Sequence, residues 1–199
     1  MHRKIVAAVA VLAVVLALAS CGNEDPGAET RTAANGDKFN DADVTFATGM
    51  IPHHAQALSM VDLTMGRDLD PEIQQLAEDV RAAQAPEIEK MTDWLTAWDE
   101  PVPETSRDHA HAHGDGEMST DSDLPGMMSA DEMTELENAP DAEFQTMWLE
   151  MMIEHHKGAI EMAKTEQSDG TFGPATELAE AIETGQQKEV DQMEDQLGS

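Results

Sequence analysis

Two segments of the sequence set imidazoles and thioethers at helical spacing. The first reads Met50-Ile51-Pro52-His53-His54-Ala55-Gln56-Ala57-Leu58-Ser59-Met60 and the second Met152-Ile153-Glu154-His155-His156-Lys157-Gly158-Ala159-Ile160-Glu161-Met162, at a constant offset of 102 positions with no gap. At about 3.6 residues per turn, Met50, His53, Ala57 and Met60 fall on one stripe, as do Met152, His155, Ala159 and Met162. A second imidazole, His54 or His156, stands beside each stripe, so the two pairs hold four of the eight histidines. Thioether sulfur and imidazole nitrogen without thiolate form a soft to borderline donor set, suited to monovalent copper or silver rather than to magnesium, calcium or iron. Met50 with His54, Met152 with His156 and Met151 with His155 are i, i+4 pairs, each able to grip one ion from one helix face. A bland reading stays open: methionine at helical spacing also fills cores, and a chain with no tyrosine and 4% aromatic residues needs filler.

The offset extends beyond these segments. Phe46 corresponds to Trp148, Leu76-Ala77-Glu78 to Leu178-Ala179-Glu180, and Gln84, Glu87 and Met91 to Gln186, Glu189 and Met193. The last two trios put polar and sulfur groups on what is expected to be an inward face. A buried glutamate or glutamine needs a partner, and an imidazole is the obvious one, so these residues are candidates either to orient the histidines or to be ligands themselves. A separate tract, His109-Ala110-His111-Ala112-His113, alternates imidazoles along extended chain among acids. It offers a weak, open site for divalent copper, zinc or nickel, and a chance polar linker explains it as well.

These residues need helices to hold them. Asn40 or Asp41 is a capping residue, and apolar periodicity from Val44 carries a helix to about Met65, where Gly66 stops it. Pro52 lies inside that helix and predicts a kink ahead of His53. Asp70-Pro71-Glu72 reads as a capped helix start, followed by the stripe Ile73, Leu76, Val80, Ala83, Glu87, Met91, Trp94 and Trp98, with a second kink predicted at Pro86. From Glu100 to about Ala130 the chain is rich in Pro, Gly, Ser and acids and reads as a polar crossover too poor in apolar surface to pack. Further helices are predicted over 141–166 and 174–196. Two copies of a helical hairpin cannot bury their apolar stripes separately, so the expected architecture is an all-α four-helix bundle over residues 40–199, built from two duplicated hairpins.

The N-terminal region does not belong to that bundle. Residues 1–20 combine a short basic start with the apolar run Ile5–Leu18, the pattern of a signal peptide. Leu18-Ala19-Ser20-Cys21 resembles the bacterial lipoprotein processing box, which implies lipid modification of Cys21, the only cysteine, and a cell-membrane lipoprotein on the extracytoplasmic face. Residues 21–39 read as a flexible tether. Formal net charge is -30, which repels nucleic acid and anionic lipid headgroups and concentrates cations; a solvated surface accounts for most of it.

Asp43-x-x-Phe46-x-x-x-Met50-Ile51-x-His53-His54-x-x-Ala57-x-x-Met60, continued by Gln84-x-x-Glu87-Ile88-x-x-Met91-x-x-Trp94-Leu95, resembles the domain-of-unknown-function 305 family over Asn40 to Leu197. The resemblance implies a ferritin-like four-helix bundle in an exported bacterial protein, and some members are copper-binding proteins linked to copper and silver resistance. It implies Met50, His53, His54, Met60, Met152, His155, His156 and Met162 as metal ligands. The halves differ at Asp43 against Gln145, Phe46 against Trp148 and Trp94 against Gln196. The expected function is capture or buffering of a soft ion, copper(I) or silver(I), with no catalytic residue and with an unidentified metal-exchange protein as a further partner. A metal-free structural or adaptor bundle is the alternative. A di-iron oxidase ranks below both, because neither histidine pair has a glutamate three positions ahead.

Overall fold

The computed structural model describes residues 29–104 and 124–198. Within them lie a two-stranded ladder, β1 (Arg31–Thr32) and β2 (Lys38–Phe39), and five helices: α1 (Asp41–Asp62), α2 (Pro71–Trp98), α3 (Ala130–Asn138), α4 (Asp141–Asp169) and α5 (Gly173–Leu197). The fold is all-α apart from that small ladder. Helix α1 packs against α2, α4 against α5, and α1 against α4. No helix of the described residues is long and apolar enough to cross a membrane.

The ends of α1 follow the sequence closely. Asn40 and Asp43 form a capping box, each side chain accepting from the other's backbone N–H. The helix stops at Asp62, and Gly66 sits at φ +80 in the turn that follows. Pro52 and Pro86 both lie within continuous helix.

Several expectations need correction. Asp70 stands at the N-cap of α2 but its side chain makes no capping bond. It is drawn instead to Gln145 at the start of α4, whose amide also accepts the Asp70 N–H. On α2, Ala83 faces solvent, and the buried line is Ile73, Leu76, Ala77, Val80, Gln84, Met91, Leu95 and Trp98. The end of the expected tether is ordered: β1 pairs with β2 in antiparallel register, Arg31 opposite Phe39. Phe39 stacks on Trp98 with ring centroids 4.4 Å apart, while Arg31 covers the Phe39 ring and pairs with Asp41 and Glu100. The end of the crossover also packs, since Met128 is buried and α3 follows, opened by a Ser129–Glu132 capping box and anchored by the buried Leu136. A nine-residue helix with one core side chain carries too little periodicity to be read from sequence. Residues 1–20, Cys21 and the tract His109, His111, His113 lie outside the described residues.

Every long helix crosses the same sequence of layers. One apolar cluster gathers Met60, Val61, Leu76, Val80, Phe144, Trp148, Met152, Val190 and Met193. The other gathers Phe46, Met50, Ile51, Met91, Leu95, Trp98, Ala159, Ala163 and Ile182. Between its contributions to the two, α1 places His53 and His54, α2 Gln84, α4 His155 and His156, and α5 Gln186, all buried. The core is thus split by a polar layer that none of these apolar side chains fills.

Candidate metal centre

The polar layer is where the repeated histidines meet. His53 and His155 lie ring against ring, with centroids 3.8 Å apart and planes tilted by 41°, and the His156 ring is 6.4 Å from that of His155. Each of the four imidazoles is fully buried. Burial first, then the neighbouring His54, pushes His53 down to about 3, against a weaker opposing effect of its bond to Pro125. Burial, then His53, holds His155 well below the usual imidazole range. These two rings are therefore neutral at physiological pH, the form in which imidazole binds metal.

Three of the four rings are oriented by a fixed acceptor. His54 Nε2 donates to Glu87 and His156 Nε2 to Glu189, both at 2.8 Å, and His53 Nε2 donates to the carbonyl of Pro125 at 3.0 Å. Carboxylates and carbonyls only accept, so the proton sits on Nε2 in each case. In His53, His54 and His156 this leaves Nδ1 buried and without a hydrogen-bond partner, while His155 has no side-chain acceptor at either nitrogen and only the backbone of His53 beside it. The amides of Gln84 and Gln186 are likewise buried and unpartnered at both ends. Unpaired buried polar atoms at this density are costly in an ordinary core, at about 1–3 kcal/mol each. An imidazole whose far N–H is held by a carboxylate or carbonyl is the arrangement that presents the other nitrogen to a metal, so the donor set fits a soft ion.

The methionines divide around this layer. Met50 and Met91 are buried in one apolar cluster with Met162 partly buried against it, while Met60, Met152 and Met193 are buried in the other. Each side thus receives thioethers from both sequence repeats, and the six do not share one position. The methyl of Met162 reaches α1, where a Cβ on Gly49 would stand 2.9 Å from it. Among the described residues no three His, Cys, Asp or Glu side chains converge on a point that an ion could fill. A tight site here must draw on thioether or amide groups beside the imidazoles.

Sequence reasoning did not single out Pro125, Gln56 or Gly158, which bear on this layer. Pro125-Gly126 lies in what read as crossover, and the only signal was that Gln56 and Gly158 differ at equivalent repeat positions. It also undervalued Asp43, which is buried and accepts from the backbone of Thr171 and Phe172 ahead of α5 as well as capping its own helix.

Comparison with known proteins gives this arrangement a context. The family described as Domain of unknown function (DUF305) matches residues 43–197. A DUF305 protein of Streptomyces coelicolor, for which secretion is an inference, superposes with a TM-score of 0.67 at 31% identity, covering 79% of this chain and 92% of that one. CopM in its Cu(I)-bound form superposes with a TM-score of 0.61 at 26% identity, covering 77% of this chain and 93% of CopM. CopM has also been solved with Cu(II) and with silver bound. Protein L153 of Acanthamoeba polyphaga mimivirus is 42% identical over 53 residues, which is 27% of this chain and about a third of that protein, 35% of its length.

Proposed function

This chain belongs to the DUF305 family, and from that membership we propose that it captures or buffers copper as the monovalent ion, or silver, outside the cytoplasmic membrane. Lipid on Cys21 anchors it there, and it hands its ion to or from another protein rather than catalysing a reaction. The bundle is read as ferritin-like, two copies of one hairpin: His54 with Glu87 and His156 with Glu189 repeat the same bond at the same offset.

One observation carries the reading. Three Nε2–H groups are spent on fixed acceptors, and the Nδ1 atoms of those rings are buried without a hydrogen-bond partner, in a layer flanked on both sides by clusters that hold methionines. His53, His54, His155 and His156 are the nitrogen ligands, and Met50, Met60, Met152 and Met162 the sulfur ligands. Gln84, Glu87, Met91 and their counterparts Gln186, Glu189 and Met193 orient or supplement them. The ion supplies soft Lewis acidity, which thioethers and neutral imidazoles match. CopM, similar over most of both chains, binds Cu(I), Cu(II) and silver, which supports the same cargo here.

The test is titration of silver(I) or reduced copper into the purified protein. At least one saturable site is expected, and it should vanish when His53, His54, His155 and His156 are all replaced by Ala, with helicity by circular dichroism as the control. Unchanged binding in the folded variant ends the proposal.

A metal-free adaptor bundle is the second reading, favoured by the lack of three converging His, Cys, Asp or Glu groups among the described residues. It predicts a melting temperature indifferent to silver, whereas an ion that binds the folded state must raise it. The di-iron alternative is answered by metal analysis of the protein as isolated; a stoichiometric pair of irons would revive it.

A further inference from the structure

Outside the helices, one described segment touches the histidine layer. Residues Leu124–Met128 lie across α1 and α4 before the chain enters α3. Three devices fix them. The Pro125 carbonyl accepts from His53 Nε2 at 3.0 Å. Gln56 clasps Met128 with both ends of its amide: Nε2 donates to the Met128 carbonyl and Oε1 accepts the Met128 N–H, each at 2.8 Å. Gly158 lies directly beneath, where a Cβ would stand 1.9 Å from the Pro125 oxygen, a contact no side chain survives. Gly126, at φ +74, passes so close to α4 that its own Cβ would meet the Glu154 carbonyl at 2.5 Å.

Gln56 and Gly158 are equivalent positions of the two repeats. The halves differ there, and each residue does a different job for the same segment: one grips it, the other makes room for it. A loop needing only to cover apolar surface would require neither. The outcome is asymmetric, because His53 gains an acceptor from the segment while His155, its counterpart, gains none from it.

We propose that Leu124–Met128 is a positioning strap for the ion site, with Pro125 fixing His53 in the tautomer that leaves Nδ1 as its lone-pair nitrogen and with Gln56 and Gly158 holding the strap in place. The inference rests on the copper or silver reading above and adds to it a determinant of affinity that touches no ion. Coupling of this kind is reciprocal: a strap that strengthens ion binding must itself be held more firmly once the ion is bound.

The experiment uses the purified full chain, silver(I) as probe, and the variants Gly158→Ala, which drives Pro125 away, and Gln56→Ala, which removes the clasp without a clash and serves if the first fails to fold. Three quantities are read: the nitrogen-15 shifts of the His53 ring, hydrogen exchange of the Met128 amide, and silver affinity. In either variant the Met128 amide should exchange faster, His53 should lose its fixed Nε2–H signature, and silver should bind about 10–100-fold more weakly at unchanged stoichiometry. In the unaltered protein, silver should slow Met128 exchange. A variant that exchanges faster at Met128 yet keeps its silver affinity and its His53 signature overturns the strap while leaving the metal reading intact. Absence of silver binding in the unaltered protein overturns both.

Discussion

His53 and His155, 102 positions apart in the sequence, meet in the polar layer with ring centroids 3.8 Å apart and planes tilted by 41°. Burial is the chief penalty on a proton at either ring, and a neighbouring imidazole adds to it, His54 beside His53 and His53 beside His155. Both are held neutral as a result. The core therefore carries uncharged nitrogen donors where a typical bundle carries leucine, and several of them lack a hydrogen-bond partner.

The cost is measurable at His155, which is fully buried with no side-chain acceptor and only the backbone of His53 beside it. Replacing it with Leu, of similar bulk, removes a buried ring nitrogen that has no partner and should stabilise the metal-free protein by about 1 kcal/mol in urea unfolding. Silver affinity should fall in the same variant. A destabilisation of more than about 1 kcal/mol would mean that the imidazole is bonded and not strained.

The carboxylates that orient His54 and His156 can be separated from simple packing. Glu87→Ala and Glu189→Ala each strand a buried Nε2–H, at about 1–3 kcal/mol, and should weaken silver binding about 10–100-fold. The corresponding Gln variants keep an acceptor and should recover most of both. Because the two bonds have the same length and their carboxylates similar exposure, 18% and 17%, the halves should respond alike. Failure of Gln to rescue would argue that the negative charge itself, not the hydrogen bond, matters.

Methionine as ligand and methionine as filler predict different results for Met50→Leu combined with Met152→Leu. Leu conserves volume, so each site should lose less than about 1.5 kcal/mol of stability. If sulfur binds the ion, silver affinity should drop by at least tenfold while the fold is kept; unchanged affinity would return these residues to the core.

Stability should also depend on pH through Glu166. Burial first, then the hydrogen bond and charge of Asp43 on α1, then the charge of Asp169, raise its carboxyl from 4.5 to about 9. The folded chain keeps a proton there that the unfolded chain has released, so this stabilisation is complete below pH 4.5 and is lost as pH rises through about 9. His53 and His155 act at the other end: the unfolded chain takes up protons below 6.5 that the folded rings refuse, so stability falls as pH drops from there. Urea midpoints of the metal-free protein should decline in both directions from mildly acidic pH, and Glu166→Gln should flatten the alkaline limb alone. An alkaline limb unchanged in that variant would assign it to another group.

Much of the protein was legible in its residues. Capping residues, prolines at first helical turns and apolar periodicity are local signals, and they placed the four long helices to within a few residues of where they lie. The offset of 102 marked the histidines, the methionines and their partner-helix residues, because a repeat is visible without any structure. Glu87 and Glu189 could be expected to meet imidazoles, since a carboxylate on an inward stripe needs a donor. Contacts between distant segments could not be read this way. Which side of the polar layer each thioether joins, the pull of Gln145 on Asp70, the docking of Phe39 on Trp98, and the placement of Pro125 over Gly158 all depend on how the helices cross once packed. His53 and Pro125 are 72 residues apart, and no local preference of either predicts the other. The sequence determined which side chains are chemically able to bind a soft ion; only close packing decided that His53, His54 and His156 spend Nε2 on an acceptor and keep Nδ1 without one.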